Sequence, residues 1–234
     1  MSAVLKPGGS DKPADKGFSD SQKQPLEKRG MTFEALFYRQ LQQVTARIHE
    51  TDNVEQIMLE ASPDICKLFN ADRLTLYAVS DDRSSIVSKV KTGLNSSREL
   101  KLPITPQSIA GYVAYSRKLL NLVDVYDDDA LKQIHPALTF LKEVDKRSGY
   151  RTREMLVAPI MEGEVLQGVL QVINNKSNQP FGELEVEGVS QLCKTLGTAI
   201  RQRFQKAEDS QRKVATKYDG LIADAVLTTT ELEQ

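Results

Sequence analysis

The chain has 234 residues, 40% hydrophobic and 27% charged, with a formal net charge of −1; that is a soluble globular balance with no general electrostatic pull toward nucleic acid or an acidic membrane. No apolar run approaches the ~20 residues of a membrane span, and Met1-Ser-Ala-Val-Leu5 meets Lys6-Pro-Gly-Gly too soon to build a secretory signal. Two distant cysteines, Cys66 and Cys193, imply neither a disulfide framework nor a metal pair, which fits a reduced, cytoplasmic compartment.

Residues 1–30 carry Gly, Pro, Ser, Lys and Asp with few large apolar side chains. Such a segment cannot bury enough surface to offset its ordering entropy and reads as a disordered tail. From Thr32, a capping residue, Phe33, Leu36, Phe37, Leu41, Val44 and Ile48 recur at helical steps. Asp52-Asn53 ends that helix, and a second carries Val54, Ile57, Met58, Ala61, Ile65, Leu68 and Phe69 inward, with a kink expected at Pro63. The period then shortens. Leu74 to Val79 and Ile86 to Val90 read as strands joined by the polar turn Ser80–Ser84. Glu99 to Pro103 is a short strand, Thr105 to Ser116 a short helix, and Leu119 to Val123 strand-like. Asp124-Val-Tyr126-Asp-Asp-Asp129 opens a long irregular connection, and its acidic run reads as a solvated turn because it lacks the alternating oxygen ligands of a calcium loop. Met155 to Met161 and Val165 to Ile173 form a hairpin around Gly163. Gly182 to about Arg212 is a long helix with Leu184, Val189, Leu192, Cys193, Leu196, Ile200 and Phe204 on its apolar side.

Strands in the middle with helices at both ends argue for α+β: an antiparallel sheet with terminal helices on one face and a ligand pocket on the other, under the short helix and the loop. The domain is expected over 31–205. Residues 206–234 read as a helical linker, a break, and the start of a further module capped at Thr229 or Thr230. The outer faces of the two long helices suit pairing with a second copy in a parallel homodimer.

The run Phe140-Leu-Lys-Glu-Val-Asp145-Lys-Arg-Ser148-Gly149-Tyr150-Arg-Thr152-Arg153, with Gly168-Val-Leu-Gln171-Val-Ile-Asn174-Asn175-Lys176 downstream, resembles the signature of GAF domains of the cyclic-nucleotide phosphodiesterase and cyclase type. The resemblance covers residues 32–205. It implies a regulatory, non-enzymatic sensor that needs no resident cofactor and takes cyclic AMP or cyclic GMP, lined by Thr75, Lys91, Thr92, Ile109, Ala110, Asp145, Ser148, Thr152 and Gln171. It also implies support from outside by Asn175, Lys176, Phe181 and Glu185, with a Lys176–Glu185 ion pair. Lys91 and Gln171 replace an aromatic and an acid often found in the family, and Val186 stands where an acid is usual. A fainter resemblance, from Leu221 through Val226-Leu-Thr228 to Glu231-Leu232, is to the entry of secretion and pilus ATPases, which implies a downstream ATPase or other output domain.

The residues also speak for themselves. Amides in the first turn of the short helix, at Ile109 and Ala110, suit a phosphate, and Ser108 and Gly111 permit its close approach. Asp145 can accept from a base, Ser148 and Thr152 offer hydroxyls, Gln171 can donate and accept, and Gly149 lets the loop fold over as a lid. The plainer readings are that Asp145, Ser148 and Thr152 tether a surface loop, that Thr75 and Gln171 are polar positions on an exposed sheet, and that Tyr126 and Phe140 anchor the loop. Cys66 and Cys193 lie on helix stripes and read as core, against chromophore attachment. His135 is a lone haem-ligand candidate. The alternative to a sensor is a ligand-free dimerisation and partner-binding module.

Overall fold

A computed structural model of the protein describes residues 32–51, 62–91 and 97–232, without the side chains of 89–91, 97–99, 207, 215 and 217–232. The expected tail, most of the second helix and Thr92 lie outside the described residues. Helix α1 (Phe33–Glu50) starts as the sequence implies, with the Thr32 hydroxyl accepting from the Ala35 amide. Phe37, Leu41, Val44 and Ile48 are buried, but Phe33 and Leu36 stay exposed, so the inward stripe begins one turn later than the apolar spacing suggests. Helix α2 (Ser62–Leu68) carries Pro63 in its first turn, where no intrahelical amide is lost.

Six antiparallel strands follow: β1 (Ala71–Val79), β2 (Ser85–Lys91), β3 (Ser97–Pro103), β4 (Leu120–Leu122), β5 (Met155–Glu162) and β6 (Val165–Asn175). They lie in the order β3-β2-β1-β6-β5-β4. The register places Leu74 and Leu76 beside Val172 and Leu170 on one face, and Thr75 and Tyr77 beside Gln171 and Val169 on the other. Both faces are covered, which is why β5 and β6 are apolar nearly throughout.

The first face packs on α1 and on helix α6 (Glu183–Leu232). Each fully buried Val, Leu or Ile there, such as Val189, Leu192, Leu196 and Ile200 of α6, stabilises the fold by about 1.5–3 kcal/mol. Two glycines permit this packing. A Cβ at Gly188 would stand 2.5 Å from the Phe37 ring, and one at Gly197 would stand 2.1 Å from the Met161 carbonyl oxygen. The two helices run side by side in the same direction, and Arg203 closes the end of α1. Its Nε donates to Thr51 O at 2.9 Å and its terminal nitrogen to His49 O at 2.8 Å, a cation set on a helix C-terminus. Helix α6 continues without interruption to Leu232. The break and fresh cap expected near Thr229 do not form, because the preceding residues sustain the helical ladder across that point.

The second face carries helix α3 (Ile109–Ser116) and the connection from Asp124. That connection is not irregular: it holds α4 (Asp128–Ile134) and α5 (Lys142–Ser148). Asp127, expected in a solvated turn, caps α4 by accepting from the Asp129 and Ala130 amides. His135 closes the same helix, its Nδ1 accepting from the Ala137 amide.

Candidate ligand-binding site

Strand β1 pairs with β6 along its length, yet with β2 only at Ala78–Val87 and Val79–Ile86 among the described residues. Beyond that point the sheet parts, and a cleft of about 730 Å³ occupies the space beneath α3 and α5. That volume lies within the ~300–1,000 Å³ range of small-molecule sites. Thr75, Ile109, Ala110, Asp145, Ser148, Thr152 and Gln171 all line it, so the structure brings together seven of the nine expected residues. Of the other two, Lys91 lacks a described side chain and Thr92 lies outside the described residues.

The roof begins at α3. It starts at Ile109 rather than at Thr105, and Ser108 is its cap, accepting from the Gly111 amide at 3.1 Å. The Ala110 amide, second in the helix, has no acceptor among the described residues. Gly111 sets the height of the roof: a Cβ there would lie 2.6 Å from Pro103 O and 2.7 Å from Thr105 O.

The strap after α5 is tied down by its own polar groups. Asp145 is buried and accepts from the Thr152 amide (2.7 Å), the Thr152 hydroxyl (2.8 Å) and the Tyr126 hydroxyl (3.0 Å). Ser148 donates to Asp145 O and accepts from the Tyr150 amide. The plainer reading of these three residues therefore describes this structure, although all three also face the cleft. Tyr126 and Phe140 pack with ring centroids 5.1 Å apart, as loop anchors should. The guanidinium of Arg151 stacks over the Tyr126 ring at 3.4 Å, and that of Arg73 over the Tyr150 ring at 3.5 Å. Burial, with Asp72 beside it, pushes the Tyr150 phenol up to about 12.

Asn174 matters more than its sequence context suggests. Its φ of 53° turns the end of β6. Its Oδ1 accepts from the Arg153 and Glu154 amides, and its Nδ2 donates to Tyr150 Oη and Arg151 O. Asn175 accepts from the Asn70 side chain and the Ser177 amide. Glu154, also buried, accepts from the Asn175 amide, and desolvation raises its carboxyl above the usual range. The Lys176–Glu185 pair does not form. Glu185 instead accepts from the Gly182 amide at 2.9 Å and caps α6, because the turn after β6 leaves Lys176 at the cleft. Phe181 belongs to the core on the helical side. Cys66 departs from its reading as core: it is half-buried and lines the cleft, and burial raises its thiol, opposed by Lys176. Cys193 is buried as expected, and its thiol is pushed up by desolvation.

Tyr77, Ser88, Arg73 and Tyr150 line the cleft but were not among the residues singled out from sequence. Alternation was the available signal: Arg73, Thr75 and Tyr77 share a face, as do Ile86 and Ser88.

The GAF domain family matches residues 53–200, well over half of the chain. The chain belongs to the GAF domain family. The GAF domain of a phosphoenolpyruvate-protein phosphotransferase from Coxiella burnetii has the same fold, with a TM-score of 0.61 at 23% identity over 76% of this chain and 99% of that one. The dual 3',5'-cyclic-AMP and -GMP phosphodiesterase 11A of Takifugu rubripes is 33% identical over 136 residues, 53% of this chain and 13% of that protein. A probable 3',5'-cyclic phosphodiesterase, pde-5, of Caenorhabditis elegans is 22% identical over 199 residues, 80% of this chain and 26% of that protein. The GAF chain thus spans about a quarter or less of the length of these relatives. As a GAF domain it is a regulatory small-ligand sensor module. No described helix is long and apolar enough to cross a membrane.

Proposed function

We propose that this GAF domain binds a cyclic nucleotide and passes occupancy of the cleft to helices α1 and α6. The observation that carries the reading is the cleft itself: about 730 Å³, with the Ala110 amide of α3, which has no acceptor among the described residues, on one wall and the Gln171 side chain on the floor. The helix end suits a phosphate, and the floor suits a base. The sequence likeness to cyclic-nucleotide phosphodiesterases supports the same ligand class.

Thermal denaturation with cyclic AMP and cyclic GMP tests this, since a ligand that binds only the folded state raises Tm with concentration. The rise should disappear in Gln171→Leu, which keeps the volume and removes the amide. Alkylation of Cys66, on the cleft wall, should slow when either nucleotide is bound. If neither nucleotide raises Tm or protects Cys66 at millimolar concentration, the ligand-free partner-binding module is the better reading. One observation favours that alternative: Asp145, Ser148 and Thr152 spend their hydrogen bonds on the strap.

The output would run through a parallel homodimer. Phe33 is 74% exposed at the start of α1 and Phe204 41% exposed on α6, apolar surface that a second copy would cover. Sedimentation of the chain with and without residues 205–234 tests this: the truncated form should be monomeric, and a monomer at full length would remove the dimer.

A further inference from the structure

The sheet holds a seam that its own strands do not close. Strand β1 pairs with β2 only at Ala78–Val87 and Val79–Ile86 among the described residues, yet both strands run on. β1 stays paired to β6 back to Ala71, and β2 stays paired to β3 as far as Lys91. Alternate residues of a strand aim their backbone groups at the same neighbour. Ser80 donates its amide to Ser85 O at 2.9 Å, so the even-numbered residues of β1 aim at β2. The Tyr77 carbonyl oxygen, which a Cβ on Gly168 would meet at 2.1 Å, aims at β6. Leu76, Leu74 and Asp72 therefore point their N–H and C=O groups into the seam. Beside β2, Ser84 O accepts from the Ile104 amide, which gives the even residues to β3 and turns the backbones of Lys89 and Lys91 to the seam. The cleft lining agrees. Asp72, Arg73, Leu74, Thr75, Leu76 and Tyr77 all border it, whereas a strand that presented one face would give alternate residues only. Such an open edge of six residues, about 20 Å at 3.3 Å per residue, is a template for one more strand.

The chain carries an occupant of the right kind. Within residues 1–31, Ala3-Val4-Leu5 is the one run of three apolar residues, and Pro7-Gly8-Gly9 ends it, as Pro and Gly end strands. Helix α1, which follows that segment, enters the fold near the seam: Phe37 packs on Phe69 with ring centroids 5.9 Å apart, and Phe69 stands three residues before Asp72. Residues 7–31 reach up to about 80 Å when extended, so they link α1 to the cleft with slack. Tethering also holds the run at an effective concentration of about millimolar, which lets a few backbone hydrogen bonds seat it. Leu100, Leu102 and Ile109 offer its side chains apolar walls. We propose that Ser2–Lys6 adds to the open edge of β1 as a further strand inside the cleft, by main-chain pairing within this same chain. This goes beyond the cyclic-nucleotide reading and does not depend on it; for any ligand of the cleft, the added strand is a built-in competitor.

Val4→Pro/Leu5→Pro in the full chain tests the strand, and both positions lie far enough ahead of α1 to leave the sheet and its packing alone. Adjacent residues of a strand alternate their N–H groups, so one of the two prolines removes an edge hydrogen bond in either register. The measurement is hydrogen exchange of the Leu74 and Leu76 amides, read by NMR without ligand over a dilution series. Wild type should exchange there about tenfold more slowly than Val4→Pro/Leu5→Pro, at every concentration. Asp20→Pro/Ser21→Pro, beyond the Pro-Gly-Gly break, should match wild type. Equal rates in wild type and Val4→Pro/Leu5→Pro overturn the proposal: equally fast means an open edge, and equally slow means an edge closed by another part of the chain. Faster exchange in Asp20→Pro/Ser21→Pro to the same degree also overturns it, because the effect then does not belong to Ser2–Lys6. Protection that vanishes on dilution assigns the strand to a second copy and overturns the insertion within one chain. No ligand enters the measurement, so its failure leaves the cyclic-nucleotide reading standing.

Discussion

Asp145→Ala tests whether the strap is held by one carboxylate. In the wild type, that side chain accepts from two Thr152 donors at 2.7 and 2.8 Å and from Tyr126 at 3.0 Å. Thr152 is itself buried, so its amide and hydroxyl cannot turn to water when the acceptor is removed. Tyr126 is only half-buried and can. Two stranded donors at about 1–3 kcal/mol each give an expected loss of about 2–5 kcal/mol after partial relaxation. For a domain of this size that is about 5–15 °C in Tm. Asp145→Asn should lose less, since one oxygen still accepts. In Asp145→Ala/Thr152→Val the loss should be smaller than the sum of the single variants, because the second change removes a donor already stranded. Thermal unfolding reads the totals, and limited trypsin digestion reads the place: cleavage after Arg151 and Arg153 should accelerate. A Tm within 2 °C of wild type, with unchanged cleavage at those two sites, would refute the single-carboxylate tether.

Gly111→Ala should cost about 1–3 kcal/mol, since its Cβ would meet two backbone carbonyl oxygens and force α3 away from the end of β3; an unchanged Tm would refute this close packing of the roof. Arg203→Met should cost about 1 kcal/mol and speed amide exchange in the last turn of α1, whose carbonyls lose their cation; unchanged exchange there would deny the capping role. Glu154 sets a pH dependence. Its carboxyl is raised by burial above an ordinary 4.5, so the folded state holds more protons than the unfolded one, and stability falls as pH climbs from about 4.5 through the raised value. Glu154→Gln removes that slope, so its Tm should improve relative to wild type between pH 5 and pH 7, and a constant difference would show that Glu154 does not titrate in this way.

The strands and long helices were legible because each has one dominant period. Leu74-Thr75-Leu76-Tyr77 alternates between two cores, and Val189, Leu192, Leu196 and Ile200 recur on a single stripe. The connection 124–154 was harder. Helices α4 and α5 are one to two turns long, below the length at which a stripe declares itself, and α4 opens on an acidic run whose capping role depends on which amide Asp127 meets. Phe33 and Leu36 continue the α1 stripe in sequence but stay exposed, so periodicity overstated the core. Matching to the GAF signature found the walls of the cleft, yet the Lys176–Glu185 pair depended on a turn after β6 that Asn174 redirects. Ser88 and Tyr77 were hidden for another reason. A lone serine and a tyrosine in apolar strands look like ordinary strand residues until the fold turns both onto the cleft.

The bare contact at Gly197 gives α6 a fulcrum. There the helix rests on the Met161–Glu162 backbone with no side chain between them. From that point to Leu232 the rod continues for about 50 Å at 1.5 Å per residue, far past the α1 partner that ends at Glu50. A lever of that reach multiplies small motions: a tilt of about 5° at the pivot carries its tip roughly 4 Å. A repacking of β5 that tilted the helix by that much would displace its distal end by about the size of a side chain.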